Sequence, residues 1–497
     1  MTTTPLSPPS TLATARGKLI LALLCAVAFL DFVDGPIVNV ALPSIRRALD
    51  FSVDGLQWVP SGYLLTYGGF MLLGGRAADL LGRRRVLTAG IVTIGVASLA
   101  GGLAQSAGVL VAARLVQGLG AAMTLPAALS ILTTTFAEGH ERHTALGVWG
   151  GIGALASAAG VLLGGLLTEG LGWRWVMFVN PIACLIVLGG VYTLLAPDGV
   201  RRRLRGFDAP GALLVTGGML LLVYALVRAP TVGWGSTRTI AELAVAAALL
   251  TAFVVNEQRH RNPLAPLSIF RINGLGFSNV TQLVAFAGFV AMFFFLTLYM
   301  QNILGWSAIQ TGLAYLPMCF AIGISAGISS QLLGRVGTRP IIVAGAVIAA
   351  GGLYWLSRIP VDGTFLGDLL PGMLVLSLGF GPVFVGVTTA ANAGVPADKA
   401  GLAAALLNAS QQLGAALGLA IYTAVATSRT DHLLAAHAAP AQALTGGFQR
   451  ALLVGSLFIA ASAIIALRAT NTRGEPTAAA AAHGNAMREQ PDPAVAA

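Results

Sequence analysis

Charged residues are scarce in this chain. Only 10% of its residues are Asp, Glu, Lys or Arg, whereas an ordinary soluble domain carries about 25%. Hydrophobic residues make up 56% of the chain, and its mean hydropathy is +0.81. This composition excludes an ordinary soluble protein, because too few polar groups are present to cover the apolar surface. We therefore predict that lipid surrounds much of the chain.

Sequence patterns for catalysis, metal binding and ATP binding are also missing. The chain has no HExxH, Walker or GxSxG pattern in a usable context, which argues against a hydrolase or an ATP-driven pump. Its cysteines Cys25, Cys184 and Cys319 lie inside apolar runs without metal-ligand spacing, and we interpret them as packing residues. We predict no enzyme activity, no metal and no cofactor.

Long apolar runs are what the chain does have. Runs long enough to cross a bilayer as helices occur at roughly 19–43, 56–77, 86–105, 108–135, 144–168, 173–196, 209–229, 239–256, 275–303, 308–333, 338–357, 364–390, 400–427 and 447–468. These fourteen runs predict an all-α polytopic membrane protein. We expect a tail at 1–17, a six-helix bundle at 18–196, a linker with two extra helices at 197–273, a second six-helix bundle at 274–470 and a disordered tail at 471–497.

The positions of the basic residues predict the orientation of the chain in the membrane. Of the 29 lysines and arginines, 19 fall on the side of both tails and 8 on the other side, while Arg76 and Arg114 lie at or in helices. Because loops rich in Lys and Arg stay cytoplasmic, both termini are predicted to be cytoplasmic. The basic residues are spread over short loops rather than gathered on one face, which argues against a nucleic-acid partner. We expect a monomer in the inner membrane of a bacterium.

The loop after the second run carries the most specific pattern. Residues 75–87 read GRAADLLGRRRVL, in which Gly82 permits a sharp turn between two antiparallel helices. This loop resembles the signature loop of the major facilitator superfamily. The resemblance implies a conformational role for Gly75, Asp79, Gly82, Arg83 and Arg84.

Further stretches extend the resemblance over residues 18–468. Residues 110–120, LVAARLVQGLG, look like the superfamily's fourth-helix motif with its buried arginine, Arg114. Residues 34–43, DGPIVNVALP, are similar to the first-helix motif of the fourteen-helix drug:proton antiporter branch, the EmrB/QacA type. Residues 173–180 and 401–414 match the same branch. The resemblance implies two six-helix bundles, two linking helices and alternating access.

One departure from that branch leaves two functions open. The fifth run keeps Gly160, Gly164 and Gly165, which permit close helix packing and are expected to share in gating. The antiporter motif has proline where this chain has Val161 and glycine where it has Ala156. We expect proton-coupled efflux of small lipophilic compounds, with a proton symporter that imports a nutrient as the alternative. A non-transporting receptor would have no need of the ionisable groups described next.

Three ionisable residues lie deep in the predicted membrane spans. Asp31 and Asp34 are three residues apart in the first run, and Arg114 lies in the fourth. Two carboxylates in a poorly solvated site cannot both ionise cheaply, so one is expected to hold a proton. Our hypothesis makes Asp34 the main protonation site and Arg114 its switchable partner, while Asp31 tunes the site or contacts substrate. The alternative is a static ion pair that fixes helix packing.

Polar and aromatic residues near the predicted midplane are candidates for binding substrate. A polar side chain in hydrocarbon needs a partner, which a substrate could supply. The candidates are Asn39, Tyr63, Tyr67, Gln117, Gln282, Phe286, Asn408 and Gln412. Phe289 and Phe293 continue the aromatic stripe of Phe286, and ordinary helix packing is the favoured interpretation of these phenylalanines.

Overall fold

The structure is a bundle of long helices. It is a computed structural model and describes residues 11–136, 140–198, 208–260, 263, 269–270, 274–393, 395 and 400–473. The long helices of the described residues are α1 Ala15–Ala48, α2 Trp58–Leu81, α3 Arg83–Gly102, α4 Ala107–Thr135, α5 His140–Gly170, α6 Arg174–Leu194, α7 Ala209–Val232, α8 Thr237–Arg259, α9 Leu275–Asn302, α10 Ala308–Val336, α11 Thr338–Leu356, α12 Leu370–Asn392, α13 Ala400–Ala435 and α14 Pro440–Ala466.

Twelve of the described helices are long and apolar enough to cross a membrane. The two long helices outside this set are α2 and α7, and within α7 the apolar segment is the shorter Pro210–Leu226. The chain is therefore a multi-pass membrane protein, but the predicted count of fourteen spans is not confirmed by length and composition. Two short pieces were not predicted: a helical turn at Val53–Leu56 and a π-helical turn at Phe365–Leu369 that leads into α12.

We describe the helices in two sets, α1–α6 and α9–α14, and call them the first and the second bundle. In the first bundle α1 packs on α5 and α6, and α4 packs on α2 and α3; in the second, α9 packs on α13 and α14, and α12 packs on α10 and α11. Glycines permit the closest approaches. A Cβ on Gly164 of α5 would lie 2.7 Å from the carbonyl oxygen of Ile37, and one on Gly160 would lie 2.9 Å from Cβ of Pro36. Larger side chains at these positions would push α1 and α5 apart.

The two bundles contact each other at one end of the molecule and also, through α2 and α13, further along their length. We call the end where α1 begins and α14 ends the terminal end, and the opposite one the distal end. At the distal end Gln301 Nε2 of α9 donates to the carbonyl oxygen of Val40 at 2.9 Å. A Cβ on Gly165 of α5 would lie 2.8 Å from the carbonyl oxygen of Ala308. The backbone N–H of Ile309 also donates to Glu169 Oε2 at 3.2 Å.

The α7–α8 hairpin lies beside the junction between the bundles. Val223 of α7 packs with Leu65 of α2 and with Leu413 and Ala416 of α13. At the open end of the hairpin, Asn256 Nδ2 of α8 donates to Asp208 Oδ2 at 2.6 Å. The hairpin therefore contacts both bundles through one of its helices.

Candidate functional site

A buried ion pair joins α1 to α4. Asp34 and Arg114 are only 3% and 1% exposed, and Arg114 Nη1 lies 2.6 Å from Asp34 Oδ2. Two amides complete the surroundings of the carboxylate: Gln117 Nε2 donates to Asp34 Oδ1 at 2.7 Å, and Asn180 Nδ2 of α6 donates to the same oxygen at 3.0 Å. Helices α1, α4 and α6 are thus tied together at one carboxylate, which accepts charge-assisted hydrogen bonds on both oxygens.

The guanidinium of Arg114 is satisfied on several sides. Its Nε donates to the backbone carbonyl oxygen of Val59 at 3.0 Å, and its Nη1 also donates to Gln117 Oε1 at 2.7 Å. The ring of Tyr63 covers the guanidinium, with its centroid 4.4 Å from Cζ. A buried ion pair is stable only when hydrogen bonds satisfy its remaining donors and acceptors. Separation of Asp34 from Arg114 therefore needs either a proton on the carboxylate or water in the site.

The second carboxylate has different neighbours. Asp31 is 6% exposed and accepts hydrogen bonds from the hydroxyl of Tyr63, at 3.3 Å on Oδ1, and from that of Tyr67 on Oδ2. The two tyrosine rings lie edge to face with centroids 5.5 Å apart. Among the described residues, no Lys, Arg or His forms an ion pair with Asp31. Tyr63 therefore contacts both the cation of one site and the carboxyl of the other.

The loop at residues 75–87 is held in place by a residue that the sequence did not point to. Gly82 has φ +105°, and Asp198, which follows α6, lies directly against it. Asp198 accepts hydrogen bonds from the backbone N–H groups of Arg84 at 3.1 Å and Arg85 at 2.9 Å, and so caps the first turn of α3.

Arg83, Arg84 and Gly75 of this motif make further contacts. Arg83 Nη1 donates to Thr134 Oγ1 at 2.8 Å, and the guanidinium carbon of Arg84 lies 5.1 Å from the ring centroid of Tyr192. Gly75 faces Pro126 of α4, where a Cβ would lie 3.6 Å from that of the proline. The side chain of Asp79 lies outside the described part of the structure.

The second bundle repeats this arrangement. Gly337 directly precedes α11 and has φ +87°, and Asn471, which follows α14, lies directly against it. Asn471 Oδ1 accepts a hydrogen bond from the backbone N–H of Arg339 at 3.0 Å, and the backbone N–H of Thr338 donates to the carbonyl oxygen of Thr472 at 2.8 Å. The predicted tail thus begins with residues that bond to α11, while 474–497 lie outside the described residues.

The candidates for substrate binding divide between the two bundles. Tyr63, Tyr67 and Gln117 belong to the carboxylate cluster just described. In the second bundle Gln282 Nε2 donates to Gln411 Oε1 at 3.2 Å, and its own Oε1 is buried without a hydrogen-bond partner among the described residues.

The other polar candidates are less informative. Asn408 Nδ2 donates to the carbonyl oxygen of Ala404 in its own helix at 3.0 Å, and Gln412 lies beside Gly68 of α2. Asn39 is half-buried on α1. No described hydrogen bond joins Asn408 or Gln412 to the carboxylate cluster, so the structure does not gather all candidates into one site.

The phenylalanines of α9 form an aromatic cluster with α12. Phe289 stacks on Phe380 with ring centroids 3.7 Å apart and an interplanar angle of 8°. Phe286 meets Phe380 at 5.2 Å and Phe384 at 6.3 Å, and Phe293 lies 5.5 Å from Phe289. Phe384 is 39% exposed, whereas Phe380 is 2% exposed. The cluster is thus mainly packing, with one ring at its edge accessible.

An apolar groove lies between α1 and α5 near the terminal end. Its volume is about 460 Å³, and its walls include Leu21, Phe29 and Ile152. Lys18 is the one charged residue among those that line it. The two helices are in close contact near Gly160 and separate toward the terminal end, which leaves this groove open.

Sequence reasoning missed the contributions of Asn180 and Asp198. Asn180 lies in the stretch 173–180, which carried a family resemblance but suggested no contact with Asp34. Asp198 is a single acid directly after an apolar run, and nothing in its position indicates that it caps a distant helix. Among the described residues, no group of three or more His, Cys, Asp or Glu could hold a metal ion.

Comparisons with known proteins agree on a family of transporters. A puromycin resistance protein of Streptomyces alboniger is 40% identical over 431 residues, which cover 86% of this chain and 85% of that protein. A cephamycin export protein of Amycolatopsis lactamdurans is 39% identical, with 84% and 86% covered. The structure of a D-xylose-proton symporter superposes with a TM-score of 0.62 at 15% identity over 92% of this chain and 99% of that one, which shows a shared fold alone.

The family model that matches the chain agrees with these relatives. The model is that of the Major Facilitator Superfamily, and it matches residues 24–419. The match includes the Asp34–Arg114 pair, the loop at Gly82 and the second bundle from α9 into α13. The resemblance predicted from residues 34–43, 75–87 and 110–120 is confirmed, and the chain belongs to the Major Facilitator Superfamily.

Proposed function

We propose that this protein exports small lipophilic compounds, antibiotics among them, in exchange for protons. The observation that carries the proposal is the Asp34–Arg114 pair, an ion pair buried within helices expected to move. Relatives with 33–40% identity over most of both chains are described as resistance or export proteins for puromycin, cephamycin, tetracenomycin C and lincomycin. Ionisable groups at membrane depth are costly and are usually retained for function.

The surroundings of Asp34 support proton coupling. While Asp34 is ionised, Arg114, Gln117 and Asn180 hold α1, α4 and α6 together. A proton on Asp34 removes the charge that attracts Arg114 and weakens these bonds together. When that proton comes from outside the cell, the helices of the first bundle change their packing and the molecule opens toward the cytoplasm, where the proton is released. This links one protonation event to one change of access.

The substrate enters, in this proposal, through an apolar route. The groove between α1 and α5 has almost no polar lining and opens toward the terminal end. From there a lipophilic compound reaches the region between the bundles, where Gln282 offers an unpaired oxygen and Phe384 an accessible ring. A strongly charged molecule would lose its hydration in such a groove without compensation.

We also propose that α2 and α7 cross the membrane, which gives fourteen spans. α1 begins beside the end of α6, where Arg16 Nη2 donates to the carbonyl oxygen of Leu194, and α3 begins beside Asp198. Since α1 and α3 start at the same end, α2 has to return across the molecule between them. α7 is the antiparallel partner of α8, which is long and apolar enough to span.

The same proposal covers domains, orientation and association. The chain divides into bundles at 18–196 and 274–470 with a linking hairpin at 197–273. The excess of basic residues at the terminal end supports cytoplasmic termini in a bacterial inner membrane. The active unit is a monomer, because the described Asp34 site is complete within one chain.

Export is tested in a bacterial host that lacks its own drug pumps. Cells that produce the native chain should grow at higher concentrations of puromycin, tetracenomycin C or lincomycin than cells that produce Asp34→Asn. Glu242→Gln, which removes a carboxylate of an ion pair far from Arg114, is the control and should protect like the native chain. Equal protection by Asp34→Asn at equal membrane content would refute the coupling role.

Import by proton symport is the second candidate, because α5 is continuous through Val161 and carries no proline within its span. In everted vesicles with an acidified lumen, an antiporter releases protons from the lumen when a transported drug is added. A symporter does not. Release with the native chain but not with Asp34→Asn supports export, and no release with any compound that the cells resist refutes antiport.

A further inference from the structure

We propose that Asp31 is a second proton-binding site and that it holds a proton in the conformation seen here. The inference rests on the proposed function for its role in transport, but its geometry stands by itself. Asp31 and Asp34 occupy neighbouring turns of α1 and have unlike partners: a guanidinium and two amides surround Asp34, whereas two phenol hydroxyls surround Asp31.

The first argument is the charge balance of the cluster. Among its described residues there are two carboxyl groups, Asp31 and Asp34, and one cation, Arg114, all of them more than nine-tenths buried. Arg114 makes its ion pair with Asp34. If Asp31 were also ionised, the cluster would carry an uncompensated negative charge away from water, which is strongly unfavourable. A proton on Asp31 makes the cluster neutral.

The second argument concerns the groups that α2, α4 and α5 place around Asp31. From α2 come Tyr63 and Tyr67, whose hydroxyls are neutral, and from α4 comes Arg114, which lies over the Tyr63 ring and pairs with Asp34. α5 has no ionisable residue between Thr144 and Thr168. No second cation is therefore available in the described surroundings of Asp31.

The third argument is that α6 adds no cation either. The titratable group of α6 near Asp34 is the buried thiol of Cys184, which is not part of a disulfide. The amide of Asn180 donates to Asp34 and, at 3.5 Å, to Ser98 Oγ, rather than to Asp31.

The tyrosines make the site suitable for a proton rather than for a cationic substrate. Each carboxyl oxygen of Asp31 already lies against one phenol oxygen, so a bound proton sits within a hydrogen bond whichever oxygen carries it. Tyr63, Tyr67 and Asp31 are all buried, and both hydroxyls lie within hydrogen-bond distance of the carboxyl group. The binding of an amine would require both rings to move.

The test is infrared spectroscopy of the purified, full-length protein in lipid at neutral pH, with ¹³C-labelled aspartate to identify the carboxyl bands. The native chain should show the C=O stretch of a protonated aspartic acid, and Asp31→Asn should lose it. Asp208→Asn is the matched control, because Asp208 is also buried but lies at the base of the α7–α8 hairpin. That variant should keep the band.

Tyr67→Phe gives an independent measurement if Asp31→Asn is poorly folded. Removal of one phenol hydroxyl weakens the hydrogen bonding of the acid, so the Asp31 band should shift to higher frequency while its intensity remains. Absence of the band from the native chain, its survival in Asp31→Asn, or an unchanged frequency in Tyr67→Phe would each overturn the proposal. The measurement needs no transported compound, so its outcome is separate from that of the efflux assays.

Discussion

Replacement of Gly165 by alanine should open the distal end of the molecule. In the structure a Cβ at this position would lie 2.8 Å from both the carbonyl oxygen of Ala308 and Cα of Ile309, which are backbone atoms of the other bundle. Backbone atoms at the start of α10 cannot rotate away as a side chain can. The clash is therefore relieved mainly by separation of α5 from α10.

The size of the effect follows from the cost of overpacking. An extra methyl group in a well-packed contact costs about 1–3 kcal/mol. This would change the ratio of molecules with an open distal end to molecules with a closed one by about 5- to 150-fold. Alanine also favours the helix over glycine by up to about 1 kcal/mol. That gain arises within α5 itself and not at its contact with α10, so we expect it to be equal with the distal end closed or open and to cancel from the ratio.

Two other glycines of α5 separate this effect from general damage. Gly151→Ala places its Cβ in open space, with nothing within 4 Å, and should leave the ratio unchanged. Gly164→Ala meets the carbonyl oxygen of Ile37 at 2.7 Å within the same bundle. It should lower the temperature of unfolding without a preference for either conformation.

The assay is a distance measurement between spin labels on cysteines introduced at Arg47 and Arg358. Both residues are exposed at the distal end, one in each bundle, and the native cysteines are buried. Gly165→Ala should increase the population with the longer distance. An unchanged distance distribution, or an equal change in Gly151→Ala, would refute the proposed contact as the factor that keeps the distal end closed.

Two further substitutions test other contacts. Asp198→Ala removes the hydrogen-bond acceptor at the start of α3 and should lower the free energy of unfolding by about 1 kcal/mol. Its unfolding temperature should be lower than that of Asp198→Asn, and no difference from the native chain would show that the cap is not stabilising. Gln117→Leu removes a hydrogen bond to the ionised Asp34 and should lower the free energy of unfolding by about 1.5–3 kcal/mol, measured by thermal unfolding. It should also reduce drug resistance in the growth assay; full resistance would show that Gln117 has no part in coupling.

The positions of the helices along the chain could be predicted well, because they depend on local hydrophobicity. The run predicted at 108–135 is the helix Ala107–Thr135, and the run at 275–303 is Leu275–Asn302. The turn at Gly82 was also predictable, since glycine there adopts φ +105° between two helices. The π-helical turn at Phe365–Leu369 was not, because a short irregular turn leaves no periodic pattern.

Contacts across helices were harder to predict, because they depend on how each helix is rotated about its axis. The sequence led to the pairing of Asp34 with Arg114, which the structure places 2.6 Å apart. It assigned Gln117 and Tyr67 to substrate, whereas Gln117 bonds to Asp34 and Arg114 and Tyr67 bonds to Asp31. In a sequence so uniformly apolar, the hydrophobic pattern does not distinguish a face that meets protein from one that meets lipid.

The returning contacts of Asp198 and Asn471 have a consequence for biosynthesis. Asp198 follows the last helix of the first bundle and bonds to the start of its third helix, so every internal contact of that bundle involves residues already synthesised when residue 198 leaves the ribosome. The first half can therefore complete its packing while the second half is still being translated. The second half cannot complete the corresponding contact with α11 until Asn471 and Thr472 have been synthesised. A nascent chain arrested before these residues would leave the start of α11 without its cap.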